Sequence, residues 1–146
     1  MPTLTGRIDH RVGAMVMVRI APTARRAAIL RRLGRPVVAG EEFLALLDTG
    51  ASSSAIDARV ARRLDLESSG FVSVHTPSTG SVSVNQDSYD ATITLGAGAP
   101  GGLSVVCDVI ECEFAAQGFF ALIGRDVLSK CILTYDGPAD RFILEY

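Results

Sequence analysis

Asp48 ends the apolar run Phe43-Leu44-Ala45-Leu46-Leu47 and is followed by Thr49, Gly50, Ala51 and Ser52. An apolar strand thus carries a carboxylate out of the core, and small residues alone turn the chain away. Most Asp residues of a β-rich chain merely occupy exposed turns, but a carboxylate delivered in this way is a candidate proton donor or acceptor. About 75 residues later Phe119-Phe120-Ala121-Leu122-Ile123 runs into Gly124-Arg125-Asp126 and a helix-like stretch from Val127 to Cys131. The two blocks resemble each other.

Other chemistries find less support. Ser52, Ser53 or Ser54 with His75 suggests a serine hydrolase, yet Ser54 and Ala55 stand where a nucleophile elbow needs its second Gly. His75 reads as an exposed residue beside a turn. Gly96-x-Gly98-x-x-Gly101 matches the dinucleotide fingerprint formally, but Pro100, Gly102 and the run Leu103 to Val106 lead into a strand where a phosphate-binding helix would have to begin. Cys107, Cys112 and Cys131 are odd in number and form no C-x-x-C pair, and His10 and His75 lie far apart. A disulfide framework or zinc site is therefore not expected; no metal and no cofactor are assigned. The cysteines read as small, reduced, buried hydrophobes, with Cys107 and Cys112 able to pair under oxidation.

The elements that must position these residues are mostly strands. Ala14 to Ile20, Glu42 to Leu47, Asp90 to Leu95, Leu103 to Glu113 and Arg141 to Tyr146 have strand character. Phe71 to His75 and Ser81 to Asn85 alternate apolar and polar residues around the turn Thr76-Pro77-Ser78-Thr79-Gly80, which predicts a long exposed hairpin. Helical spacing appears from Ala55 to Leu66 and from Thr23 to Gly34, where Thr23 can cap and Gly34 can terminate. The expected class is all-β with one or two short helices.

The 146 residues suffice for one domain with a sizeable core. A composition of 48% hydrophobic and 21% charged residues excludes a disordered chain. No apolar run nears the roughly 20 residues of a membrane span, and Arg7, Arg11 and Arg19 interrupt the N-terminal segment. A soluble, unexported, cytoplasmic protein without membrane insertion is expected. The net charge of −2 hides an asymmetry, because residues 1–35 hold eight Arg against Asp9 alone, +7 there and −9 beyond. No aromatic residue lies between Ala14 and Glu42, so this basic segment offers no base-stacking platform and nucleic acid is not an expected partner.

Leu46-Leu47-Asp48-Thr49-Gly50-Ala51-Ser52 together with Ala121-Leu122-Ile123-Gly124-Arg125-Asp126 resembles the paired signatures of retropepsin-like aspartic proteases, the short single-domain bacterial type more than the viral enzymes. The order of the parts carries the resemblance: an apolar strand, D-T-G, a hairpin, then apolar-apolar-Gly-Arg-Asp. It covers about residues 42–146. It implies a closed acid-protease-like β-barrel, a single D-T-G lobe spanning residues 1–146 with a basic insertion at about 21–41, and a homodimer. Asp48 would be the catalytic carboxylate; Thr49, Gly50 and Ala51 would form the active-site loop, with the Thr49 hydroxyl reaching the partner loop. Leu122, Ile123, Gly124, Arg125 and Asp126 would form the supporting ψ-shaped loop, and Pro77, Ser78, Thr79 and Gly80 the tip of a flap.

The implied activity is hydrolysis of extended peptide or protein substrates. Without metal or covalent nucleophile that reaction needs a base to activate water and an acid for the carbonyl oxygen, and two carboxylates sharing one proton serve as both. The chain holds one D-T-G, so the second carboxylate must come from another copy of Asp48 through a two-fold axis. A catalytically silent dimer that binds extended peptides is the alternative. Family dimers join through terminal strands, which makes Arg141 to Tyr146 either the interface or an ordinary core strand. Viral members carry an acid four residues beyond the catalytic Asp as partner of the Gly-Arg arginine. Here Ser52 stands there, leaving Asp126 or a group of the second subunit for Arg125. The basic segment either borders the cleft or docks a partner.

Overall fold

Val16, Val18 and Ile20 are buried between more exposed neighbours, the period-two pattern that gives a strand one inward face. Repeated along the chain, this pattern builds the fold. The computed structural model describes residues 1–75 and 83–146. Its strands are β1 (Thr3–Asp9), β2 (Gly13–Pro22), β3 (Glu41–Leu47), β4 (Ala55–Asp57), β5 (Ser68–Val74), β6 (Val84–Leu95), β7 (Leu103–Cys112), β8 (Ala121–Ile123), β9 (Ile132–Asp136) and β10 (Arg141–Glu145). The helices are α1 (Ala24–Arg32), α2 (Ala58–Arg63) and α3 (Arg125–Leu128), with a 3-10 turn over Ala115–Gln117.

Six strands close into a barrel in the order β2-β3-β8-β4-β7-β6, with β6 returning to pair with β2 through Ile20 opposite Ile93. Closure removes the free edges that an open sheet would expose. The inward residues of these strands, among them Val18, Ala45, Ile56, Ile93, Val109 and Ile123, are fully buried and form the core. β5 extends the sheet beyond β6, and β1, β10 and β9 extend it beyond β2. The expected all-β class with a closed barrel is therefore the one that forms, with three short helices among the described residues. No helix there is long and apolar enough to cross a membrane.

Several boundaries differ from expectation. Ala55–Asp57 begins no helix; it is a strand held between β7 and β8, and the helix starts only after Asp57, whose carboxylate caps it by accepting from Arg59 N at 2.9 Å. The pairing partners lie more than 50 residues away in the chain, beyond the reach of local spacing. Ser81 to Asn85 and Asp90 to Leu95 are expected as separate strands, but Val84, Asn85 and the whole of Asp90 to Leu95 belong to the single strand β6. β1 and β9 had no local signal strong enough to predict them. For α1 the expectation holds, since Thr23 Oγ accepts from Arg26 N at 3.1 Å and the chain leaves through Gly34 at φ +66°.

Two further expectations are corrected. β10 lies between β1 and β9 of its own chain, with Phe142 and Leu144 fully buried, so both its hydrogen-bonding edges are occupied and it is an internal core strand. It offers no edge to a second subunit. Cys107 and Cys112 lie five residues apart on one regular strand, which places them on opposite faces and roughly 17 Å apart, beyond disulfide reach. All three cysteines are free, and burial pushes the Cys107 thiol up to about 12.

The basic insertion is tied down. Arg26 pairs with Glu67 at 3.0 Å, and Leu30 is buried beneath the helix. Together α1 and the start of β5 line a groove with Thr23, Arg26, Ser68, Ser69 and Asp90, so the insertion flanks the base of the β5–β6 hairpin.

Candidate active site

Asp48 lies one residue beyond β3, and its N–H donates to Ile123 O at 2.9 Å, extending the parallel β3–β8 ladder by one bond. The carboxyl group is half-buried. Its Oδ1 accepts from Gly50 N at 2.8 Å, and Ala51 N donates to Asp48 O at 3.3 Å, so the loop curls around the carboxylate. A Cβ on Gly50 would stand 3.1 Å from Asp48 Oδ1, a tight contact that would press on the carboxylate.

A second loop braces the first. Gly124 is buried, and a Cβ there would come within 2.7 Å of the Ser53 backbone, so only Gly lets the two loops touch. Arg125 N donates to Ala51 O at 2.9 Å, and Arg125 Nη1 donates to Thr49 O at 2.8 Å. Within the chain the side-chain partner of Arg125 is thus the carbonyl beside Asp48, and not Asp126. Asp126 turns instead to Ser54: its Oδ1 accepts from Ser54 Oγ at 2.7 Å and its Oδ2 from Ser54 N at 2.9 Å. Ser54 Oγ in turn accepts from Gly124 N at 3.0 Å.

The structure therefore brings Asp48, Thr49, Gly50 and Ala51 together with Leu122, Ile123, Gly124, Arg125 and Asp126. Thr49 and Gly50 are exposed, and Ser52 is exposed without a part in the brace. Pro77, Ser78, Thr79 and Gly80 lie outside the described residues; β5 and β6, before and after them in the chain, pair from Ser68 opposite Tyr89 to Val74 opposite Val84. Sequence reasoning weighed Ser54 only as a nucleophile and missed its part in the brace. It is the last of three consecutive serines, and nothing in that run marks which one is buried.

An apolar row runs beside the carboxylate. Met15, Leu46, Leu122, Ala55 and Ile110 are direct cross-strand neighbours over five strands, and all but Ala55 are only half-buried. Alternation puts Leu44, Leu46 and Asp48 on one side of β3, so this row and the carboxyl group share a face. Phe114 and Phe119, with ring centroids 5.1 Å apart, pack against its far end. Asp57 holds Phe114 in place, its Oδ2 accepting from Phe114 N at 2.8 Å and Ala115 N at 3.0 Å. Burial acts to raise the Asp57 pKa, but the three backbone donors and the Arg59 charge outweigh it and hold the carboxyl below its ordinary range.

A second acidic pair lies elsewhere. Asp90 and Asp108 face each other across β6 and β7, and their shared hydrogen bond, helped by burial, pushes the Asp90 carboxyl up. Asp90 borders the groove under α1, whose lining includes no residue of the Asp48 site. Among the described residues no group of three or more His, Cys, Asp or Glu side chains is arranged to hold a metal ion.

Residues 36–136 match a family model described as aspartyl protease. The fold matches that of a retropepsin-like aspartic protease from Rickettsia conorii with a TM-score of 0.59 at 13% identity, over 99% of this chain and 91% of that one. Among curated proteins none matches the chain.

Proposed function

Because the chain belongs to the aspartyl protease family, we propose that it is an aspartic endopeptidase whose dyad consists of two Asp48 carboxylates, one from each subunit of a homodimer. The observation that carries this reading is the placement of Asp48 at the mouth of β3, with its loop braced by Gly124 and Arg125 and its carboxyl on the same face as the apolar row. One carboxylate cannot be both base and acid in the same step. Two that share a proton can: the ionised one takes a proton from water as it attacks the peptide carbonyl, and the protonated one donates to the carbonyl oxygen. The Gly50 N–H donor keeps one oxygen of Asp48 oriented, and in this reading the other takes part in this exchange.

In this reading the half-buried row Met15, Leu46 and Leu122 receives apolar side chains flanking the scissile bond, since these residues still have apolar surface to cover. The substrate lies extended under the β5–β6 hairpin, which is assigned the flap role. The separated, burial-suppressed thiols suit a reducing cytoplasm.

The test is cleavage of a diverse peptide library by the wild type and by Asp48→Asn. Cleavage by the wild type alone, next to apolar residues, is the expected result. Equal cleavage by both proteins defeats the role of Asp48, and a verified dimer that binds peptides without cutting them favours a silent peptide-binding module.

A further inference from the structure

Asp57 is only 3% exposed, yet it belongs neither to the Asp48 loop nor to its brace. It ends β4 and clasps one loop at both ends. On entry its Oδ2 accepts from Phe114 N and Ala115 N; on exit its backbone N–H donates to Phe120 O at 2.8 Å. Between these points the chain makes the 3-10 turn Ala115–Gln117 and leaves it through Gly118 at φ +88°. Among the described residues no other side chain bonds the backbone of this turn. The second oxygen is committed as well, because Oδ1 accepts from Arg59 N at 2.9 Å.

The loop held in this way carries Phe114 and Phe119, whose rings pack with Ala55. Ala55 and Asp57 lie two residues apart on β4 and so share a face, which puts the anchor beside the seat of the rings. Within the apolar row Ala55 is the one small residue and the one that is buried, since the two rings fill the space over it. Leu46, Leu122 and Ile110 pack against the same cluster but stay half-buried. The rings are therefore the wall against which these three side chains are set. A close-packed apolar wall yields little to added methylenes, so its position fixes how large a side chain the row accepts.

We propose that Asp57 is a positioning residue that sets the size of the apolar side chain accepted beside the scissile bond, acting through Phe114 and Phe119. The inference rests on the Asp48 peptidase reading and names what limits its substrates. The carboxylate itself touches no substrate. Asn offers one acceptor oxygen where Asp offers two, so Asp57→Asn can cap α2 or hold the loop but not both. Asp57→Ser keeps a cap and drops the loop bonds. With its entrance released the loop no longer presses both rings onto Ala55, and the row admits bulkier groups.

The experiment takes a peptide that the wild type cleaves next to an apolar residue, and a copy in which that residue is enlarged to Trp. Both are given to the wild type, Asp57→Asn, Asp57→Ser, Phe114→Leu and Asp57→Ser/Phe114→Leu, with circular dichroism confirming that each is folded at the assay temperature. The expected result is a kcat/KM ratio, parent peptide over Trp copy, that falls about tenfold in each Asp57 variant and in Phe114→Leu, and no further in the double variant. A loss of folded protein lowers both rates alike and leaves the ratio unchanged, so the ratio separates positioning from stability. Asp136→Asn, which alters a surface pair with Arg141, should keep the wild-type ratio. An unchanged ratio in the Asp57 variants, or additive shifts in the double variant, overturns the assignment and leaves the Asp48 reading standing. A wild type that cleaves no peptide through Asp48 overturns both.

Discussion

Ser54 and Asp126 meet through two hydrogen bonds, one from the serine hydroxyl at 2.7 Å and one from its backbone N–H at 2.9 Å. They tie the segment after Asp48 to the helix after Gly124. Since Ser54 Oγ also accepts from Gly124 N, a single hydroxyl joins both loops of the site. Ser54→Ala leaves the Asp126 carboxylate and the Gly124 amide short of a partner, and the expected loss of stability is about 1–3 kcal/mol. Urea denaturation of the two proteins checks it, and Asp126→Asn in a double-mutant cycle should show coupling with Ser54.

Cleavage should follow a bell-shaped pH profile. Activity requires the dyad to hold one proton, so the rate rises as the first carboxyl ionises and falls as the second does. Initial rates on one peptide across the acid to neutral range test this, and a flat profile contradicts the shared-proton mechanism.

Asp57→Ala should cost about 1 kcal/mol or more for the lost helix cap alone, with further loss from the freed Phe114 and Ala115 amides. Its folded pKa is lowered, so the stabilisation is present above the ordinary carboxylate range and is lost as pH falls through the depressed value. Thermal melts at several pH values should therefore show the variant and wild type converging only in strong acid.

The Asp90–Asp108 contact has the opposite sign. Because the Asp90 pKa is raised in the folded state, the contact stabilises below the ordinary carboxylate pKa and is lost as pH rises through the folded value. Asp90→Asn should thus raise the melting temperature near neutrality and lose that advantage on acidification.

Activity per mole of chain should fall on dilution, and the melting temperature should climb with protein concentration, if association and folding are linked. Calorimetry over a hundredfold concentration range reads this directly.

Much of the site was legible because its parts are local in sequence. The apolar strand before Asp48, the small residues after it and the Gly124-Arg125-Asp126 block each announce a strand end or a tight loop. What was not legible depends on long-range register. Ala55–Asp57 has helical spacing but becomes a strand because β7 and β8 offer partners on both sides. The partner of Arg125 is a backbone carbonyl, which no side-chain pattern can advertise. The insertion likewise showed its charge but not that Arg26 would clamp it to Glu67.

Thr3 lies opposite Glu145 in the β1–β10 pair, and Tyr146 N donates to Pro2 O at 3.1 Å. Polypeptide attached before β1 or after β10 therefore emerges from the same spot on the molecule. A short bridge would suture these ends, and the backbone could be reopened in the exposed turn at Gly98–Gly101. Such a permuted chain would keep every strand neighbour while reversing which halves are synthesised first.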